Sequence, residues 1–164
     1  MSVVALLAVL LLTVSARTER LFQAAEGFKA PSLVIESTDS TAGITLDELR
    51  GKFVLVNFWS SADAQSRILA KDYDIATSNF DAEHFRHVAV NTDRSKALFR
   101  EIIRHDGMNA NVHYYYEDAA NSGRMTDDWH LENGLRSFLI DPQGRILAVN
   151  PSAETLSRAL SPRL

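Results

Sequence analysis

The sequence predicts an α/β domain with a mixed central sheet. The run Phe53-Val54-Leu55-Val56-Asn57-Phe58-Trp59 is apolar with almost no polar break, the pattern of a strand covered on both faces. Ser60-Ser61-Ala62-Asp63 then supplies helix caps, and a second strand at His87–Asn91 and a second helix from Ser95 to His105 complete a β-α-β-α order. Close to the C-terminus, Ser137–Asp141 and Arg145–Val149 flank Pro142-Gln143-Gly144, which is turn chemistry and makes those two strands antiparallel. A parallel unit, an antiparallel hairpin and a closing helix give one mixed sheet with helices on both faces.

Taken in chain order, the first element is an apolar run from Val3 to Val14 that ends in Val14-Ser15-Ala16 and meets Arg17-Thr18-Glu19-Arg20. It is shorter than the roughly 20 residues a spanning helix needs, and small residues close it, so residues 1–16 read as a signal peptide with no stable membrane span left after its cleavage. Residues 17–31 are a lead-in, and residues 32–164 form the folded domain. Ser32-Leu33-Val34-Ile35 reads as a short strand, and Thr45-Leu46-Asp47-Glu48-Leu49 as one helical turn opened by a capping signature. In the helix after Asp63, Ile68, Leu69, Tyr73, Ile75 and Ala76 recur at helical spacing. The next helix places Leu98, Phe99, Ile102 and Ile103 on one face and stops at Asp106-Gly107. In His113-Tyr114-Tyr115-Tyr116 alternate rings point to opposite faces of a strand. Ser152-Ala153-Glu154-Thr155 opens the last helix, with Leu156, Ala159 and Leu160 inward.

Composition excludes several kinds of chemistry. At 164 residues and 46% hydrophobic content the chain can build its own core, and with no Cys it has no thiolate nucleophile, iron–sulfur cluster, Cys-bound zinc or thiol redox step of its own. A net charge of −4 without a basic stripe argues against nucleic acid. Gly51-Lys52 lacks the rest of a phosphate loop. His84 and His87 are three apart but His87 begins a strand, so they read as solvated residues rather than metal ligands. Asp127-Asp128-Trp129-His130 lacks a calcium loop and reads as a helix start with Trp129 inward. Neither a metal nor a cofactor is expected.

The stretch ITLDELRGKFVLVNFWSSADAQSR resembles the opening of thioredoxin-like proteins of the secreted thiol-disulfide oxidoreductase (TlpA/ResA-like) branch, with its L-x-x-L-x-G-K lead, V-L-V-N-F-W strand and W-C-x-x-C-R turn. VAVNTDRSKALFREIIRHDGMN is similar to that family's second strand and helix, and FLIDPQGRILA to its hairpin. The resemblance spans about Ser32 to Leu160 and implies a thioredoxin-like three-layer α/β/α sandwich. Where the family has W-C-x-x-C, this chain has Ala62-Asp63-Ala64-Gln65-Ser66, so Asp63 and Ser66 stand in place of the two thiols. Where the family has a cis proline before its F-L-I-D strand, this chain has Leu135, followed by Arg136 and Ser137, so an all-trans loop is expected there.

The resemblance therefore implies the scaffold and withdraws the activity. The helix start that favours a thiolate also favours a carboxylate, and Asp63 acting as a helix cap accounts for its presence. The expectation is a redox-inactive, extracytoplasmic binding module. Its surface would be Trp59, Ala62, Asp63, Ser66, Leu135 and Arg136, and its partner a protein or peptide of the cell envelope. The alternative is a thioredoxin-family enzyme with displaced, non-thiol chemistry, such as a hydrolase using Asp63.

Overall fold

The computed structural model describes residues 24–35, 43–116 and 124–161. The expected signal peptide and the first part of the lead-in, residues 17–23, lie outside those residues. Two short strands, β1 (Val34–Ile35) and β2 (Ile44–Thr45), pair antiparallel, and a 3-10 turn follows at Asp47–Leu49. The capping signature closes as expected: Glu48 N–H donates to Thr45 Oγ1 at 3.3 Å, and Thr45 N–H to the Glu48 carboxylate at 3.0 Å.

The main sheet contains β3 (Phe53–Trp59), β4 (Phe85–Asn91), β5 (His113–Tyr115), β6 (Ser137–Ile140) and β7 (Ile146–Val149) in the order β5-β4-β3-β6-β7. Strands β3, β4 and β5 are parallel, whereas β6 pairs antiparallel with β3 and β7 antiparallel with β6. The mixed sheet is thus the one the sequence pattern predicts. At the β6–β7 turn, Asp141 Oδ1 accepts the N–H groups of Gln143 and Arg145, and Gly144 takes φ +80°. The positive φ favours glycine there, and a Cβ would in addition displace the Arg50 guanidinium, which lies across the turn and donates to Gln143 O.

Alternation along β3 divides the core. Val54, Val56 and Phe58 enter one cluster with Val88, Phe138 and Ile146, while Leu55 and Trp59 enter clusters on the opposite face. That opposite face is covered by three helices: α1 (Ala64–Thr77), α2 (Lys96–Asp106) and, after the short α3 (Arg124–Asp128), α4 (Ala153–Leu160). The first face is covered by α3, the β1–β2 hairpin and Ala24 and Ala30. Helices do flank both faces, but one layer is much thinner than the other.

Three expectations about the helices need correction. Ile68 and Ile75 of α1 are 63% and 66% exposed, and Leu98 of α2 is 45% exposed. In α1 Tyr73 is buried as expected, but its buried companions are Ser66, Ala70 and Thr77, because the sheet beneath this helix presents polar side chains among its apolar ones. Trp129 is buried as expected, yet it follows the end of α3 rather than starting a helix. There Leu131 N–H returns to Thr126 O and His130 N–H to Asp127 O, with His130 at φ +51°, the paired bonds of a helix stop.

Candidate functional site

The last residue of β3, Trp59, leads through Ser60-Ser61-Ala62 into α1, so a buried strand delivers a short loop to a helix start. Asp63 is the N-cap in extended conformation, and its carboxylate accepts the Ser66 N–H at 2.8 Å. Ser66 Oγ donates to Asp63 O at 3.1 Å and accepts the Ser60 N–H at 3.2 Å. The two residues expected to face one another do so, and both are occupied in holding the turn.

The loop is anchored by Asp93, which the sequence pattern does not single out. It lies just past β4, where Thr92 N–H donates to Trp59 O and carries the β3–β4 pairing one residue further. Its carboxylate accepts from Ser60 Oγ (2.7 Å), Ser61 N–H (2.9 Å), Asn91 Nδ2 (3.0 Å) and, closest of all, Ser61 Oγ. Partial burial works to raise this carboxyl, but the donors from Ser61, Ser60 and Asn91 outweigh it and hold the group below its ordinary value. Removing the acceptor leaves those donors unmatched at a half-buried place. Asp93→Ala is therefore expected to lower stability by about 1–3 kcal/mol, read as a shift in urea midpoint at unchanged m-value, with Asp93→Asn losing less.

A second anchor fixes the first turn of α1 to the end of α2. Arg67 Nε and Nη2 donate to the two oxygens of Asp106 at 2.5 and 2.6 Å, and His105 Nδ1 approaches the same carboxylate at 2.9 Å. The hydrogen bonds from Arg67 are the main reason the Asp106 carboxyl is held far below the usual carboxylate range, against the opposing effect of burial.

The six residues expected on the surface divide unevenly. Ala62 and Asp63 are exposed, while Leu135 and Arg136 are half-buried. Arg136 lies beside the end of β3, since its carbonyl accepts Phe58 N–H at 3.0 Å. Leu135 packs against the core cluster of the thin layer, and every peptide bond among the described residues is trans. Ser66 is buried under the turn. Trp59 is not on the surface at all: it is 0% exposed, packed against Phe99 and His113, and removed from any partner.

Beneath α1 lies a buried polar cluster in which Asp74 faces His87 and His113. Its members are separated in sequence and belong to a helix and two strands, so no local motif marks them. His87, expected in solvent, is 3% exposed, because β4 already begins at Phe85 and turns this side chain inward. His84, by contrast, is exposed and pairs with Asp81 at 2.8 Å. No group of three or more His, Cys, Asp or Glu residues among the described residues is arranged to hold a metal ion. A groove of about 1050 Å³ lies at the opposite pole from the loop, between the end of α4 and the starts of β3 and β4, with Phe53, Phe85 and Leu139 among its walls.

A five-stranded mixed sheet in this order, with a strand-to-helix turn at the end of its central strand, is a thioredoxin-like fold. The chain is similar in sequence to a ResA-type thiol-disulfide oxidoreductase, and it contains no cysteine. It is 29% identical over 129 residues to thiol-disulfide oxidoreductase ResA of Bacillus subtilis, a match covering 76% of this chain and 66% of that protein, a little under two thirds of its length. Among solved structures it is similar to a thioredoxin-like protein from Parabacteroides distasonis, with TM-score 0.70, 22% identity and coverage of 85% of this chain and 97% of that one. A thiol:disulfide interchange protein from Bacteroides sp. superposes with TM-score 0.72 at 20% identity, covering 84% and 91% of the two chains. No protein-family model matches the sequence.

Proposed function

We propose that this chain is a redox-inactive thioredoxin-like module that works outside the cytoplasm by binding a protein or peptide of the cell envelope. The binding surface is the exposed loop at Ala62 and Asp63 together with Leu135 and Arg136. One observation carries the reading: Asp63 and Ser66, which the sequence resemblance puts where the family has its two thiols, cap and close the helix start with their polar atoms. Nothing on this chain can form a mixed disulfide, as it has no cysteine. The location rests on the short apolar run at Val3–Val14, and no helix among the described residues is long and apolar enough to cross a membrane.

The rival hydrolase reading has less support. Asp63, the residue that reading would use as base or nucleophile, is engaged as the N-cap of α1, its carboxylate accepting the Ser66 N–H at 2.8 Å. The test is capture by a photo-crosslinker placed at Ala62, with an identical probe at Leu147 by the distal groove as control. Capture of a defined envelope protein is expected at Ala62, lost in Arg136→Glu and weak at Leu147, alongside no reduction of insulin by a dithiol. Equal capture at both probes would remove the surface assignment, and dithiol turnover would remove the redox-inactive reading.

A further inference from the structure

The side chains that seat α1 on the sheet form a cluster that the exposed loop does not use. From α1, both oxygens of Asp74 lie 3.0 Å from His113 Nε2 on β5, and Oδ1 lies 3.5 Å from His87 Nδ1 on β4. The same carboxylate accepts the Asn109 N–H at 2.9 Å from the segment after α2. His87 donates Nε2–H to Asn57 Oδ1 on β3 at 2.6 Å, and its other nitrogen is 3.5 Å from Thr77 Oγ1 of α1. The Tyr73 ring of α1 stands edge-on to His87, with its hydroxyl donating to Pro151 O. Arg86, the neighbour of His87 on β4, turns to Tyr114 Oη and Asn111 O. The side chains of His87, His113 and Asp74 are 2%, 0% and 9% exposed, and His113 Nδ1 has no partner.

We infer that this cluster is an acid-operated release for the C-terminal half of α1, so that the seating of the helix behind the candidate surface depends on pH. Two imidazoles share one carboxylate. Asp74 can balance a single imidazolium, and a second would be an uncompensated charge away from water. An opened segment carries the His87 imidazole charged once the pH falls below about 6.5. In the closed structure burial pushes the His87 imidazole down to about 3, against the attraction of Asp74 and with the charges of His113 and Arg86 acting in the same direction as burial. A folded value below the unfolded one means that the contribution is complete above pH about 6.5 and is lost as pH falls toward 3. Across that interval the opened state holds one more proton, so its equilibrium constant rises up to about tenfold per pH unit. The other end of α1 behaves differently. Asp106 remains ionised far into acid, so Arg67 keeps the first turn tied to α2 while the far end loosens.

The consequence for partner binding rests on the function proposed above; the seating itself is measurable with no partner present. The experiment is native-state hydrogen exchange on the full chain between pH 7 and 4.5, corrected for intrinsic exchange. The opening constant at Tyr73–Thr77 is expected to rise about tenfold per unit below pH 6.5, while amides at Phe99–Ile103 of α2 change less than twofold. His87→Phe keeps a ring in place and removes the titrating group, so it should flatten that slope. Nitrogen-15 shifts of the wild-type imidazoles give a reading that no variant can spoil: His87 is expected to stay neutral at pH 4.5. A flat response at Tyr73–Thr77, joint opening of α1 and α2, or a charged His87 in the folded chain above pH 5 would overturn the inference. Acid release without capture at Ala62 would remove the binding reading alone, and capture without acid release would remove this one alone.

Discussion

The double variant Asp63→Cys, Ser66→Cys is expected to close an intramolecular disulfide, passing from two countable thiols to none when glutathione disulfide is supplied as oxidant. Asp63 is the N-cap of α1 and Ser66 lies three residues on, with the Ser66 N–H already 2.8 Å from the Asp63 side chain. Residues so placed lie on one side of the helix, within the roughly 4.4–6.8 Å Cα separation a disulfide requires. The helix start also favours the thiolate at position 63, so a low level of insulin reduction should appear where the parent has none. Stability should change little, because losing the cap costs about 0.5–2 kcal/mol and a four-residue loop closure returns about 2 kcal/mol. Reduction should remain slow, since Leu135, packed into the thin-layer core, stands where the sequence resemblance puts the family's proline. Thiol counting and intact mass under oxidising and reducing conditions decide the matter. Thiols that stay free, or that join only between chains, would mean that the turn is not the equivalent of the family's redox turn.

How far the sequence reveals this arrangement depends on how local each signal is. The β3 run and the Asp63 cap are local patterns, and each forms as read. The inward face of α1 is misread because hydrophobic spacing assumes an apolar floor. In this fold the floor holds Asn57, His87 and His113, so Thr77 and Asp74 turn inward while Ile68 and Ile75 turn out. Asp93 escapes for another reason: its donors Ser60 and Ser61 lie 33 and 32 positions earlier, and only the parallel pairing of β3 with β4 brings them together. Trp59 illustrates the reverse error. It ends a strand next to the site, but strand alternation, with Phe58 facing the thin layer, sends its ring into the core between sheet and helices.

Replacing Trp129 with Ala is expected to cost about 3–5 kcal/mol, more than the loss of the Asp93 anchor. The reason is the asymmetry of the two layers. Three helices cover one face of the sheet, but the other relies on α3, five residues long, together with a hairpin whose strands are two residues each. A helix so short has no stability of its own in water, so packing must hold it in place. Trp129 supplies that packing: it is 0% exposed, its ring centroid lies 5.3 Å from Phe58 and 5.0 Å from Phe138, and its Nε1–H points along a long 3.4 Å contact to Ser32 O. One side chain therefore joins α3, β3, β6 and the segment leading into β1. Truncation to Ala would open a cavity against two aromatic rings, with only the partly buried Met125 of α3, which has no fully buried residue, left to pack there. Trp129→Phe should lose less, keeping a ring and giving up area and the indole N–H. Leu147→Ala, at 44% exposure, should fall within about 0.5 kcal/mol of the parent and serves as the control. Urea denaturation at matched m-values reads all three, and a Trp129→Ala loss below about 1 kcal/mol would show that the thin layer is held by something other than this ring.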